Sequence, residues 1–250
     1  MMWLLGGYWW ILIPGLVLTL WAQWKVRSAF ARYSQVGASS GMTGAQVAEE
    51  LLGNAGRVAG PEAVSAAAAQ ALQAVRVEAV GGNLTDHYDP RARVLRLSEP
   101  VYGGRSLAAL GVAAHETGHA LQHASSYGPL GLRNSFLPVA NIGSNLALPL
   151  FILGIFLGGF SSRGSFGMIL MDLGILLYMA AVFFTLLTLP VEFNASRRAI
   201  VLLRDGGYIR SDEVGPTKAV LDAAALTYLA AAAVALLTLI RLILIRNQRD

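Results

Sequence analysis

Residues Gly111–Ser125 read GVAAHETGHALQHAS and place three of the chain's four histidines at positions 115, 119 and 123. His115, Glu116 and His119 satisfy the pattern H-E-x-x-H. On a helix, residues four apart sit one turn above each other, so two imidazoles at this spacing can grip one metal ion from a single face. Glu116 is turned about 100° from His115 around the same axis, which sets it beside such an ion rather than on it. A carboxylate there can take a proton from an activated water and later pass it to a leaving amine. With 4 histidines and 8 glutamates in 250 residues, chance placement yields the pattern in about 0.2% of chains. A purely structural helix with stray polar residues is therefore the weaker reading.

His123 continues the stripe, but at 1.5 Å per residue it lies about 12 Å along the axis from His115. One ion with bonds of about 2.1 Å cannot join both ends. His123 is expected to finish the helix or to support another residue. The chain contains no cysteine, so any zinc must be held by His, Asp or Glu. A catalytic zinc takes three protein ligands and leaves a position open. The expected third ligand is Glu192, in TLPVEFNASRRAIVLLRDGG, although a carboxylate at a helix start is also what the helix dipole favours. Glu99, Asp86, Asp89 and Glu213 compete with it. Ser196 lies one turn beyond Glu192 and faces the same way, within reach of a ligand histidine. An oxyanion stabiliser is sought among His87, Tyr88, Arg197 and Arg198.

These residues must be positioned by a greasy chain. It is 55% hydrophobic and 14% charged, against about a quarter charged in an average soluble domain, which points to a lipid bilayer. The net charge of +4 does not point to nucleic acid, because the basic residues flank apolar segments as the positive-inside rule describes. Residues 3–24, built on the uncharged run Trp3–Trp21, read as a transmembrane anchor. Residues 137–190 read as a transmembrane hairpin, and residues 223–245 as a last transmembrane helix. A soluble portion, 25–136, carries the H-E-x-x-H helix; 191–222 supplies the third-ligand helix and a loop. The hairpin returns the chain to the side it left and so delivers Glu192 beside His115. Segments 25–136 and 191–222 hold 15 of the 19 Lys and Arg residues, which places the site on the cytoplasmic side of a multi-pass protein of the cell membrane. The basic flank after the last span dissents.

Within the soluble portion, Thr43 and Gln46 form a capping box for a helix through Leu52. Pro61–Val75 reads as an alanine-rich helix, and Ser106–Ala124 as the H-E-x-x-H helix. Alternating apolar residues around Asp89-Pro90 predict a β-hairpin of Val75–Thr85 with Val94–Ser98. The expected fold is a mainly α membrane protein, with about four transmembrane helices and a small α+β zincin-like catalytic portion.

The segments AAHETGHALQHA, LTDHYDPR…VLRLSEPVYGG and LPVEFNASRRA, in that order, resemble the bacterial YugP-type neutral zinc metallopeptidase family from about Gln35 to Gly207. More distantly, the plan is similar to HtpX-type membrane proteases, in which the later glutamate is followed four residues on by an aspartate. The resemblance implies one Zn2+ per chain held by His115, His119 and Glu192, with Glu116 as general base. The implied substrates are peptides or membrane proteins. In metallopeptidases of a similar plan an edge strand aligns an extended substrate through backbone hydrogen bonds, and by that resemblance Val94–Ser98 is the candidate here. Ser196 stands where the distant relatives have aspartate, and the alanine-rich helix at 61–76 is longer than the resemblance implies. The rival expectation is a non-proteolytic membrane scaffold or chaperone with a structural zinc, which a fourth protein ligand would mark.

Overall fold

In the computed structural model, which describes residues 8–55, 64–158, 160 and 164–248, helices dominate and one small sheet interrupts them. A 3-10 turn at Trp9–Ile11 leads into α1 (Leu12–Tyr33), then α2 (Gly44–Gly53) and α3 (Ala66–Gln73). Strands β1 (Arg76–Val80), β2 (His87–Asp89) and β3 (Val94–Ser98) follow, then α4 (Glu99–Tyr102) and α5 (Leu107–Ala124). The chain continues through α6 (Gly128–Phe156), α7 (Phe166–Asp205) and α8 (Val214–Arg246). Two compact units result: Met1–Ala22, Leu132–Leu189 and Thr227–Asp250 form one, Gln23–Gly131 and Pro190–Leu226 the other.

The described surface of the first unit is mostly apolar. Among the described residues, α6, α7 and α8 are long and apolar enough to cross a membrane. Leu146, Leu173, Leu176 and Ile240 all point outward, a surface that water disfavours and acyl chains accept. α6 pairs with α7 as a hairpin: a Cβ on Gly143 would stand 2.5 Å from the Leu177 carbonyl oxygen, and one on Gly174 2.7 Å from that of Ala147. Only glycine allows backbones this close, the usual way helices pack where no hydrophobic effect drives them together. Phe151, Met171, Leu242 and Ile245 form the buried cluster that ties α8 to this pair. Asp172 and Arg246 close it with a forked ion pair at 2.7 and 3.0 Å. The expected anchor has its residues 3–7 outside the described residues; its helix runs on to Tyr33 and is not one of the three.

The second unit holds a conventional core, with Val47, Leu51, Leu72, Leu95, Leu97, Leu110, Leu121 and Leu203 all buried. The capping box is present: Gln46 N–H donates to Thr43 Oγ1 and Thr43 N–H to Gln46 Oε1. The alanine-rich helix starts at Ala66, where Ser65 caps it; residues 61–63 of that expectation lie outside the described residues.

The sheet corrects the expected pairing. Its order is β1-β3-β2, with β1 parallel to β3 and only β2 antiparallel to it. The hairpin therefore joins His87–Asp89, not Val75–Thr85, to Val94–Ser98. Asp89 makes its turn, accepting from the N–H groups of Arg91 and Ala92 on one carboxylate oxygen, a local bond that initiates turns. Val94–Ser98 is thus central, paired along its whole length with β1 on one side and over Val94–Arg96 with β2 on the other. It is not an edge strand. A strand with neighbours on both sides has no free ladder to offer a substrate.

Candidate metal centre

α5 begins where Ser106 Oγ accepts from the Ala109 N–H. Small residues then keep the helix thin enough for two neighbours to touch its backbone. A Cβ on Gly118 would lie 2.8 Å from the Ala195 carbonyl oxygen, so α7 crosses α5 in direct contact there. A Cβ on Gly111 would meet Thr217 of α8 at 3.1 Å. The crossing at Gly118 falls between the two histidines of the motif, and Glu192, three residues before Ala195, arrives opposite both.

Glu192 Oε2 lies 3.3 Å from His115 Nε2 and 3.4 Å from His119 Nε2. The three donor atoms fit within 4.8 Å of one another, and the imidazoles stand edge-on, 87° apart. Atoms bound at about 2.1 Å to one tetrahedral ion stand about 3.4 Å from each other; the two carboxylate–imidazole distances match that spacing, and the N, N, O donor set suits zinc. The carboxylate is only 4% exposed, and a buried negative charge needs a cation or several donors facing it. Glu116 is buried beside the cluster.

The far nitrogen of each imidazole is also held. Ser196 Oγ lies 3.1 Å from His115 Nδ1, and Gln122 Oε1 lies 3.0 Å from His119 Nδ1. Gln122 is fully buried and its orientation is fixed, since its amide donates to the Val191 carbonyl at 2.8 Å and to Asn194 Oδ1 at 3.0 Å. Its oxygen is left to face His119, so His119 Nδ1 carries a hydrogen, and in the neutral ring Nε2 then holds the lone pair, the tautomer a metal ligand requires. Asn194 Oδ1 in turn accepts from Arg198 Nε at 2.9 Å, and that guanidinium sits over the Tyr127 ring. Burial by itself would lower the His119 pKa; the hydrogen bond and charge of Glu192, with the charge of Glu116, outweigh it and raise the value.

The other carboxylates have different tasks. Asp86 accepts from the Ser98 N–H and hydroxyl, Asp89 holds its turn and Arg96, and Glu213 accepts from Ser39 and the Arg210 N–H. Glu99 opens α4. None of them joins the three-residue cluster. His123 lies in the last turn of α5, with its Nδ1 3.0 Å from the Tyr88 hydroxyl. His87 Nδ1 lies 2.8 Å from the Thr85 carbonyl oxygen. Gln122 and Asn194 had no place in the sequence reading. Their signals were available, at three residues after His119 and two after Glu192.

Among the described residues, three helices long and apolar enough to cross a bilayer accompany a two-histidine, one-carboxylate group that could hold a metal ion. Sequence comparison agrees: the chain belongs to the family described as "Putative neutral zinc metallopeptidase", whose model matches residues 8–247. It is 50% identical over 239 residues to the "Putative membrane protease YugP" of Bacillus subtilis (strain 168), covering 95% of this chain and 96% of that one. No solved structure matches the chain.

Proposed function

We propose that this chain is a multi-pass membrane endopeptidase that hydrolyses peptide bonds with one zinc ion, held by His115, His119 and Glu192. The observation that carries the reading is the convergence of two Nε2 atoms and one carboxylate oxygen at the spacing of ligands on one ion. Family membership supports it independently. Zinc, when bound, supplies Lewis acidity that polarises the scissile carbonyl and acidifies the attacking water. Glu116 takes the proton from that water as the C–O bond forms, and delivers it to the nitrogen as the C–N bond breaks. Ser196 and Gln122 keep both imidazoles turned with Nε2 toward the cluster. Three donors from the described residues leave the position a substrate needs, where a structural site would be closed by a fourth.

In this reading the span α1 is a fourth crossing and the site faces the cytoplasm. Trp9, Trp10, Trp21 and Trp24 are exposed along α1 and the turn before it, a distribution suited to the two interfaces of a bilayer, with Lys25 and Arg27 following. The test is purification of the full chain in mild detergent, followed by metal analysis and digestion of casein. About one zinc per chain is expected, with proteolysis lost on chelation and restored by zinc. Protein that carries no transition metal under these conditions would refute the proposal.

A further inference from the structure

We propose that Arg198 is a positioning residue for the metal centre, acting through Asn194 and Gln122 to fix which nitrogen of His119 carries hydrogen. The inference rests on the proposed ligand set and adds to it a residue that touches neither metal nor substrate. A side-chain amide is almost symmetric in shape, so nothing in its own form stops Gln122 from turning its NH2 toward His119 Nδ1. That ring nitrogen would then have to accept, and Nε2, the ligand atom, would carry the hydrogen. Arg198 opposes the reversal. A guanidinium offers only donors and keeps its charge in proteins. The Asn194 oxygen therefore faces it, with Arg198 Nε at 2.9 Å. The same oxygen lies 3.0 Å from Gln122 Nε2, where only an NH2 can donate. The Val191 carbonyl selects the same end of Gln122 at 2.8 Å. Gln122 Oε1 is left for His119 Nδ1, 3.0 Å away. Turned over, the fully buried Gln122 would set its oxygen against two acceptors and leave hydrogen bonds unmade.

This chain of bonds runs where α5 and α7 cross. Asn194 and Arg198 stand one turn apart on a single face of α7. Ala195, next to Asn194, is where α7 meets α5 at Gly118, and Gln122 lies one turn beyond Gly118. Arg198 is itself held. It is half-buried, and its guanidinium carbon stands 5.9 Å from the centre of the Tyr127 ring, within the range of a cation–π contact. Tyr127 is fixed in turn by the end of α5. Its N–H donates to the Gln122 carbonyl at 2.9 Å after Ser126 takes a left-handed φ of 51°, a closure that commonly ends helices. The arginine is thus clamped between the end of one helix and the side of the other.

The experiment measures the zinc affinity of full-length protein in mild detergent by competition with a calibrated chelator, alongside casein digestion. Arg198→Met and Asn194→Leu each break the chain and should lose about tenfold in affinity, the low end for residues that orient a ligand. Arg198→Lys keeps a donor and Asn194→Asp keeps an acceptor, so both should restore most of it. Arg204→Met, at the exposed end of the same helix, controls for lost charge and should bind zinc as the parent does. The deciding comparison is a double-mutant cycle. Added to Gln122→Leu, Arg198→Met should lower affinity no further, because its route to His119 is already cut. A residue that only supports the fold would add its own loss to that of Gln122→Leu, and such additivity overturns the proposal. So does parent-like affinity in both Arg198→Met and Asn194→Leu, the second serving if the first does not fold. Unchanged affinity with a fall in kcat in Arg198→Met would move Arg198 to the substrate and overturns it as well. Zinc-loaded parent protein that cuts no casein sinks the peptidase reading, while the affinities still decide the role of Arg198. Parent protein that binds no zinc overturns both.

Discussion

Glu192, Glu116, Ser196 and Gln122 meet at one cluster but should fail in different ways when changed. On the proposed ligand set Glu192→Ala removes a ligand, and the protein is expected to purify without zinc. Ser196→Ala and Gln122→Leu release one imidazole each and should weaken zinc by about 10–100-fold, the range for residues that orient a ligand. Competition with a calibrated chelator ranks all three, and a Glu192→Ala protein with normal affinity would refute the ligand set. Glu116→Gln should keep zinc and lose about 100-fold or more in kcat, since it removes the proton acceptor alone. The pH dependence has two opposite signs. In metal-free protein the raised His119 pKa means that its imidazolium stabilises the fold below the unfolded value of about 6.5. That contribution is lost as pH rises through the raised value. Zinc needs the neutral ring, so its affinity should climb over the same interval. Thermal melts of chelated and zinc-loaded protein between pH 5.5 and 8.5 should show the metal-free form losing stability as the loaded form gains it.

At the level of elements, the crossing of α5 and α7 at Gly118 decides whether these side chains can meet. Gly118→Val would push its branched carbon into the Ala195 carbonyl, only 2.8 Å from where a Cβ would lie, and force α7 off α5. Zinc affinity should fall at least as far as in Ser196→Ala while the helix content measured by circular dichroism is kept; unchanged affinity would mean the crossing does not set the site. The helix of the motif, its start at Ser106 and the arrival of Glu192 were readable in advance, because a 3.6-residue period, a capping serine and an apolar hairpin are local or strongly patterned signals. Ser196 was readable for the same reason, one turn from Glu192. The strand pairing was not. Alternation located β1 and β3 but says nothing about partner or direction, and the three-residue β2, His-Tyr-Asp, carries no apolar alternation. Gln122 was missed because a glutamine on a helix usually faces water; only the crossing of α7 buries it.

For the molecule as a whole, the proposed transmembrane hairpin α6–α7 would put both polar segments on one side of the bilayer. The absence of native cysteine makes this testable with single cysteines at Ala92, Asp212 and Ser165. Membrane-impermeant maleimide applied to spheroplasts and to inverted vesicles should reach Ala92→Cys and Asp212→Cys from the same, cytoplasmic side, and Ser165→Cys from the other. Labelling of Ala92→Cys and Asp212→Cys from opposite sides would separate His115 from Glu192 and end the proposal.

The hairpin also imposes an order in time. Between His119 and Glu192 the chain must make two apolar helices, so a chain still emerging from the ribosome owns two of the three donors and lacks the acid that completes them. On the proposed ligand set, the protease stays inert during synthesis and is armed only when α7 has been built through the bilayer and folded back onto α5. On that reading, insertion of the hairpin itself performs the activation.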